Sequence, residues 1–126
     1  MAMGGVMRER KDFLGLVVED EFLLRMELAE ELGRAGWRVL EAANGADALT
    51  RLEHADFLIT DIRLPGAMDG WDVAEEARKC HSTMPVIYVS ANPVDAARQV
   101  ANSAFLSKPI DLRLLLQACE RLVLGQ

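Results

Sequence analysis

Five times along this chain a short apolar run gives way to a longer stretch of helical period, with no linker between the repeats. A strand of that length followed by an amphipathic helix is a βα unit, and a succession of them leaves little choice of architecture. Residues 13–18 form the first apolar run, and the helix expected over 21–35 sets Leu24, Leu28, Leu32 and Ala35 on one face, with Gly36 placed to end it. Residues 37–41 read as a second strand. Asn44 then caps a helix whose positive end meets Asp47 and whose buried stripe is Ala48, Leu49 and Leu52.

A third strand over 57–60 ends at Asp61, after which Leu64, Pro65 and Gly66 force a loop and a helix starts near Asp69. Residues 86–89 are apolar throughout, as suits a parallel strand covered on both faces, and Ser90 stands at their end. Asn92, Pro93 and Asp95 announce a helix that ends near Val100, marginal at two turns. The fifth strand is 104–106, and the last helix, 111–123, lines Leu112, Leu115, Leu116, Cys119 and Leu122 along one face. Right-handed crossovers make this an α/β fold, a (βα)5 doubly wound, five-stranded parallel sheet over residues 12–124 behind a flexible tail at 1–11. At 126 residues the chain holds one such domain.

Ligands of doubly wound sheets bind outside the carboxyl ends of the strands. The ends of strands one, three, four and five deliver Glu19 with Asp20, Asp61, Ser90 and Lys108. Carboxylates gathered at one edge repel one another, and a raised pKa, a buried cation or a hard divalent metal relieves the repulsion. Each residue taken singly is as well explained as a helix cap or a loop carboxylate. Four strand ends bearing an acid pair, an acid, a hydroxyl and an amine together argue for a site.

The segments VVEDE at 17–21, TDIRLPGAMDG at 60–70, PVIYVSAN at 85–92 and SKP at 107–109 together resemble the response regulator receiver domains of bacterial two-component signalling, over residues 12–124. The resemblance implies a flavodoxin-like receiver fold in which Asp61 accepts a phosphoryl group from a sensor histidine kinase or a histidine phosphotransfer protein. It implies that Asp20 and Asp61 ligate Mg²⁺ (or Mn²⁺) directly, that Glu19 holds it through water, and that the backbone carbonyl of Arg63 completes the protein's share. Lys108, before a cis bond to Pro109, would pair with the phosphoryl oxygens. Ser90 would hydrogen-bond one of them as the trigger, and Phe105 would be the switch aromatic that turns inward, a plain core phenylalanine being the alternative. Such a protein is no enzyme beyond promoting its own phosphorylation and dephosphorylation. It works in the cytoplasm and signals to an unknown downstream protein, with a phosphorylation-dependent dimer as one output.

The chain departs from the family pattern in two places: the loop Pro65 to Asp69 is one residue longer than the commonest form, and the stretch from Ser90 to Lys108 is a few residues shorter. That shortness leads to the expectation that residues 93–102 order only on phosphorylation or partner binding. A haloacid dehalogenase-like phosphatase is disfavoured because Arg63 stands where its second aspartate belongs. The stronger alternative is a receiver-like binding module regulated without phosphorylation, from which the joint presence of Asp20, Asp61, Ser90 and Lys108 argues.

Composition closes off other classes. A net charge of −6, with Arg8, Arg10 and Lys11 interleaved by Glu9 and Asp12, gives nucleic acid no cationic surface. The apolar runs are far short of the roughly 20 residues a membrane span needs. Cys80 and Cys119 read as two buried free thiols, His54 and His81 as surface positions remote from the carboxylates, and Trp71 as packing. Phe22, Leu23 and Met26 on the first helix are candidates for an exposed partner surface. Met1 at the start and the run-out at Gly125 and Gln126 favour a stand-alone receiver.

Overall fold

The computed structural model describes residues 7–92 and 96–126. Strands β1 (Leu14–Val18), β2 (Arg38–Ala42), β3 (Phe57–Asp61), β4 (Val86–Ser90) and β5 (Ser103–Ser107) alternate with helices α1 (Phe22–Arg34), α2 (Gly45–Leu49), α3 (Gly70–Cys80) and α4 (Leu112–Cys119). All strands are parallel, in the order β2-β1-β3-β4-β5. This is the doubly wound sheet that the alternation predicts, in the flavodoxin-like strand order that the resemblance implies.

Side chains alternate across a strand, so each central strand feeds two cores. Leu16, Val18, Leu58, Val86 and Tyr88 pack under α2 and α3 against Ala48, Leu52, Trp71 and Ala74. Val17, Ile59, Ile87 and Val89 face the other way, onto Leu28 and Leu32 of α1 and Leu115 and Cys119 of α4. Trp71 lies 4.7 Å from Tyr88, centroid to centroid, in the packing role expected of it. Burial pushes the Cys119 thiol up to about 12.

Helix ends follow local chemistry. Gly36, just past α1, has φ +103°, a left-handed conformation that glycine adopts without a Cβ penalty. The Asn44 side chain accepts from the Asp47 N–H at 2.8 Å, as predicted. At α3, Asp69 accepts from the Asp72 N–H at 2.9 Å while Asp72 accepts from the Asp69 N–H at 3.0 Å. That N–H, and then the Arg98 guanidinium at 3.2 Å, hold the Asp72 carboxyl below its ordinary value of 3.8. A depressed carboxyl pKa stabilises the fold above the ordinary value and loses that contribution as pH falls through the depressed one. Asp72→Asn is therefore expected to lower the melting temperature slightly at pH 7, with the deficit shrinking as pH falls below 3.8. A deficit that stays constant as pH falls would show that the charge plays no part.

Three sequence expectations change. Leu49 is 39% exposed, because α2 ends after five residues and the chain continues as a 3-10 turn at Leu52–His54, while Ala48 and Leu52 are buried as expected. Cys80, at the last turn of α3, is exposed rather than buried. Between β4 and β5 the described residues hold only a 3-10 turn, Ala96–Arg98, in place of the expected helix; Pro93 and Asp95 lie outside the described residues.

The described part of that connection is held by long side chains instead. Arg78 of α3 donates to the carbonyls of Met84 and Ala101 at 2.7 and 2.6 Å. The Tyr88 hydroxyl accepts the Val100 N–H at 3.1 Å. Arg98 lies 3.2 Å from Asp72 and 3.1 Å from Glu75. At the opposite edge of the sheet, Arg10 donates to the carbonyl of Ala35 at 3.0 Å and pairs with Glu120.

Candidate functional site

The carboxyl ends of β1, β3, β4 and β5 converge, and the backbone knits them together. Ile62 N–H donates to the Val89 carbonyl at 3.1 Å, and Lys108 N–H donates to the Ser90 carbonyl at 2.9 Å. Glu19 N–H reaches the Ala42 carbonyl at 3.0 Å, which ties the end of β1 to β2. The register that sets Asp61 beside Val89 and Ser90 beside Ser107 thus extends one step beyond the strands.

Carboxylate oxygens of Glu19, Asp20 and Asp61 lie within 4.8 Å of one another. Glu19 is 2% exposed and Asp61 7%, while Asp20 is exposed. The Lys108 ammonium lies 2.8 Å from Asp61 Oδ2 and 2.9 Å from Glu19 Oε1. Asp61 Oδ1 accepts the Arg63 N–H at 3.2 Å, and Glu19 Oε2 accepts the Glu21 N–H at 3.0 Å. The Ser90 hydroxyl oxygen accepts the Asn92 N–H at 3.1 Å. The Lys108–Pro109 peptide bond is cis, as the resemblance implies.

These contacts shift the pKa values of Glu19 and Lys108. Burial pushes the Glu19 carboxyl above its ordinary value, a rise that the Glu21 N–H and the Lys108 ammonium only partly oppose and that the Asp61 charge reinforces. For Lys108, burial works against the ammonium, but hydrogen bonds to Asp61 and Glu19 outweigh it and raise the pKa above 10.5. One ammonium thus answers two buried carboxylates, and among the described residues the third, on Asp20, has no hydrogen bond or ion pair. An all-oxygen donor set with negative charge in excess fits a hard divalent cation.

The chain matches the response regulator receiver domain family over residues 16–120. It belongs to that family. The receiver is 34% identical over 115 residues to the sensor histidine kinase RcsC of Escherichia coli, a match that covers 86% of the chain and 12% of the kinase. It is 35% identical over 112 residues to the transcriptional regulatory protein PdtaR of Mycobacterium tuberculosis, covering 83% of the chain and 54% of that protein. The chain therefore spans a small part of the one relative and about half of the other.

Among solved structures, a response regulator receiver protein from Sinorhizobium medicae superposes with a TM-score of 0.85 at 32% identity, covering 88% of this chain and 94% of that one. The receiver domain of the sensor histidine kinase PA1611 from Pseudomonas aeruginosa was solved with a magnesium ion coordinated in its active site cleft. It gives a TM-score of 0.78 at 27% identity and covers 90% of this chain and 98% of that one.

Of the residues singled out in the sequence, Glu19, Asp20, Asp61, Ser90 and Lys108 meet at this edge. The exposed Arg63 follows Asp61 by two residues. Phe105 is half-buried in β5, paired in register with Tyr88 and packed against the core under α3. His54 and His81 are exposed and precede β3 and β4, at the opposite edge. Phe22, Leu23 and Met26 are exposed on α1, at 59, 67 and 38%. No described helix is long and apolar enough to cross a membrane. Sequence reasoning missed Arg25, whose guanidinium reaches the site's backbone. Its hydrogen-bond partners, the Glu19 carbonyl six residues back and Glu41 sixteen residues on, leave no periodic signature in the sequence.

Proposed function

We propose that this receiver takes a phosphoryl group onto Asp61 from the phosphohistidine of a sensor histidine kinase or a histidine phosphotransfer protein, with Mg²⁺ (or Mn²⁺), and switches an output face for protein–protein signalling. The observation that carries this reading is the single ammonium of Lys108 shared by Asp61 and Glu19 beside the Asp20 carboxylate, which has no partner among the described residues. Asp20 and Asp61 would hold the metal directly, Glu19 through water, and Arg63 through its backbone carbonyl. When bound, the metal neutralises charge on the transferring phosphoryl oxygens.

The remaining chemistry belongs to the chain. An Asp61 carboxylate oxygen forms the new O–P bond as the P–N bond to the donor imidazole breaks, and that nitrogen keeps the electron pair. Lys108 leaves Asp61 for a phosphoryl oxygen and retains Glu19. The Ser90 hydroxyl, which now accepts from Asn92, turns to donate to another phosphoryl oxygen and draws the start of the β4–β5 connection with it. Phe105 follows inward. Under this reading the protein works in the cytoplasm, catalyses nothing beyond its own phosphorylation and dephosphorylation, and signals through a downstream protein or a phosphorylation-dependent dimer.

Intact mass after incubation with Mg²⁺ and acetyl phosphate tests the reading. One phosphoryl adduct is expected, absent without metal and absent in Asp61→Asn. No adduct with any small donor or with a partner kinase would leave the phosphate-independent binding module as the better account.

A further inference from the structure

Arg25 places a positive charge where two electrostatic arguments disfavour one. It lies in the first turn of α1, its own N–H bonded to the Glu21 carbonyl at 2.9 Å, and the positive end of a helix repels cations. It also lies beside a site whose proposed ligand is itself a cation. Yet its side chain is only 16% exposed, and its guanidinium is engaged through Nη1 and Nε. Nη1 donates to the backbone carbonyl of Glu19 at 2.8 Å, and Nε donates to Glu41 Oε1 at 3.2 Å, at the end of β2. The group lies 5.5 Å from the centroid of the Phe22 ring.

The Glu19 carbonyl belongs to the peptide that joins Glu19 to Asp20. On its near side the chain is fixed by the Glu19 N–H to the Ala42 carbonyl. On its far side the backbone leaves the sheet for α1, held there by the Glu21 N–H on the Glu19 carboxylate at 3.0 Å, a side chain rather than a strand partner, so the peptide's own oxygen is its remaining anchor. A turn there would swing the Asp20 carboxylate away from Asp61, since the plane sets the direction of everything that follows it. Side chains on a helix lean toward its N-terminus, which lets Arg25 reach back to that oxygen.

We infer that Arg25 is a positioning residue that locks the Glu19–Asp20 peptide in the orientation bringing both carboxylates onto one divalent cation with Asp61. The inference rests on the metal-dependent phosphoacceptor reading. Glu41 fixes the guanidinium from the β2 side, so the lock spans β1, β2 and α1.

The sign of the effect separates positioning from simple charge. Removing a positive charge near a cation site tightens cation binding on Coulomb's law alone, whereas loss of the lock weakens it. Calorimetric titration with Mg²⁺ alone is expected to give a Kd about tenfold weaker for Arg25→Ala, the size usual for groups that orient metal ligands. Phosphorylation by acetyl phosphate should slow at low Mg²⁺ and recover when Mg²⁺ saturates. Arg25→Lys keeps the charge but not the planar two-point hold, and an intermediate weakening of about threefold is expected.

An unchanged or tighter Kd in a folded Arg25→Ala protein overturns the inference. If that variant does not fold, a parental Kd in Arg25→Lys overturns it instead. Parent protein that binds no Mg²⁺ and takes no phosphoryl group sinks the phosphoacceptor reading itself, and the lock with it.

Discussion

Lys108→Met is expected to bind Mg²⁺ more tightly than the parent and yet to lose about 10²- to 10³-fold in phosphoryl transfer, the usual loss when one donor to the transition-state charge is removed. The two effects have one origin. Lys108 now neutralises Asp61 at 2.8 Å and Glu19 at 2.9 Å, so it competes with any cation for the same oxygens. Its removal leaves two buried carboxylates facing each other without a counter-charge, and breaking a buried pair from one side typically costs about 3–5 kcal/mol. Because the Lys108 side chain is 21% exposed, solvent softens this, and about 2 kcal/mol of lost stability is expected without metal. Methionine keeps the unbranched stem, so the loss reports charge rather than a cavity. Mg²⁺ should restore much of the melting temperature, since a ligand that binds only the folded state stabilises it. Thermal melts with and without Mg²⁺, beside adduct formation followed by mass, give both quantities. A metal-free variant as stable as the parent would mean that Lys108 does not hold the acidic pair in check. The raised Lys108 pKa adds a sign: the stabilisation is present at neutral pH and fades only as pH rises through that raised value.

Much of this edge was legible in the residues because its logic is local. An apolar run followed by a polar residue marks a strand's end, and parallel winding carries all such ends to one side. Thus Asp61, Ser90 and Lys108 could be set together without knowing a single distance. The helix cap at Asn44 was legible for the same reason, being read within three residues.

What escaped depends on contacts between distant segments. The expected helix after Asn92 was marginal by propensity, and tertiary contacts decided against it over the described residues. Arg78 and Arg98 of separate elements, with the Tyr88 hydroxyl, satisfy backbone and charge across 12 to 26 residues of sequence. An arginine that anchors a carbonyl looks in sequence like one facing water. Leu49 failed for a different reason: its helical stripe is right for a longer helix, but α2 stops after one turn and the next turn has another period.

Gly70→Ala should cost the receiver about 3 kcal/mol, as overpacking against unyielding atoms does, or about 10 °C in melting temperature. A Cβ built on Gly70 would lie 2.1 Å from the Asp61 carbonyl oxygen and 2.7 Å from the Ile62 Cα, all backbone that no rotamer change can clear. The closeness has a purpose. Gly70 N–H donates to the Ile62 carbonyl at 2.7 Å, which closes the loop over 62–69 and seats the start of α3 on the last peptide of β3. That peptide carries Asp61, so an added methyl group must push either the helix or the nucleophile. The folded remainder of Gly70→Ala is therefore expected to phosphorylate more slowly even at saturating Mg²⁺. Gly15→Ala provides the contrast, because its Cβ would meet the Phe57 ring at 2.4 Å, deep in the α1 and α4 core and toward the other end of β1. It should lose comparable stability and keep the parental rate per folded molecule. Equal rates in both variants would show that α3 can retreat from β3 without moving Asp61, and that the glycine serves packing alone.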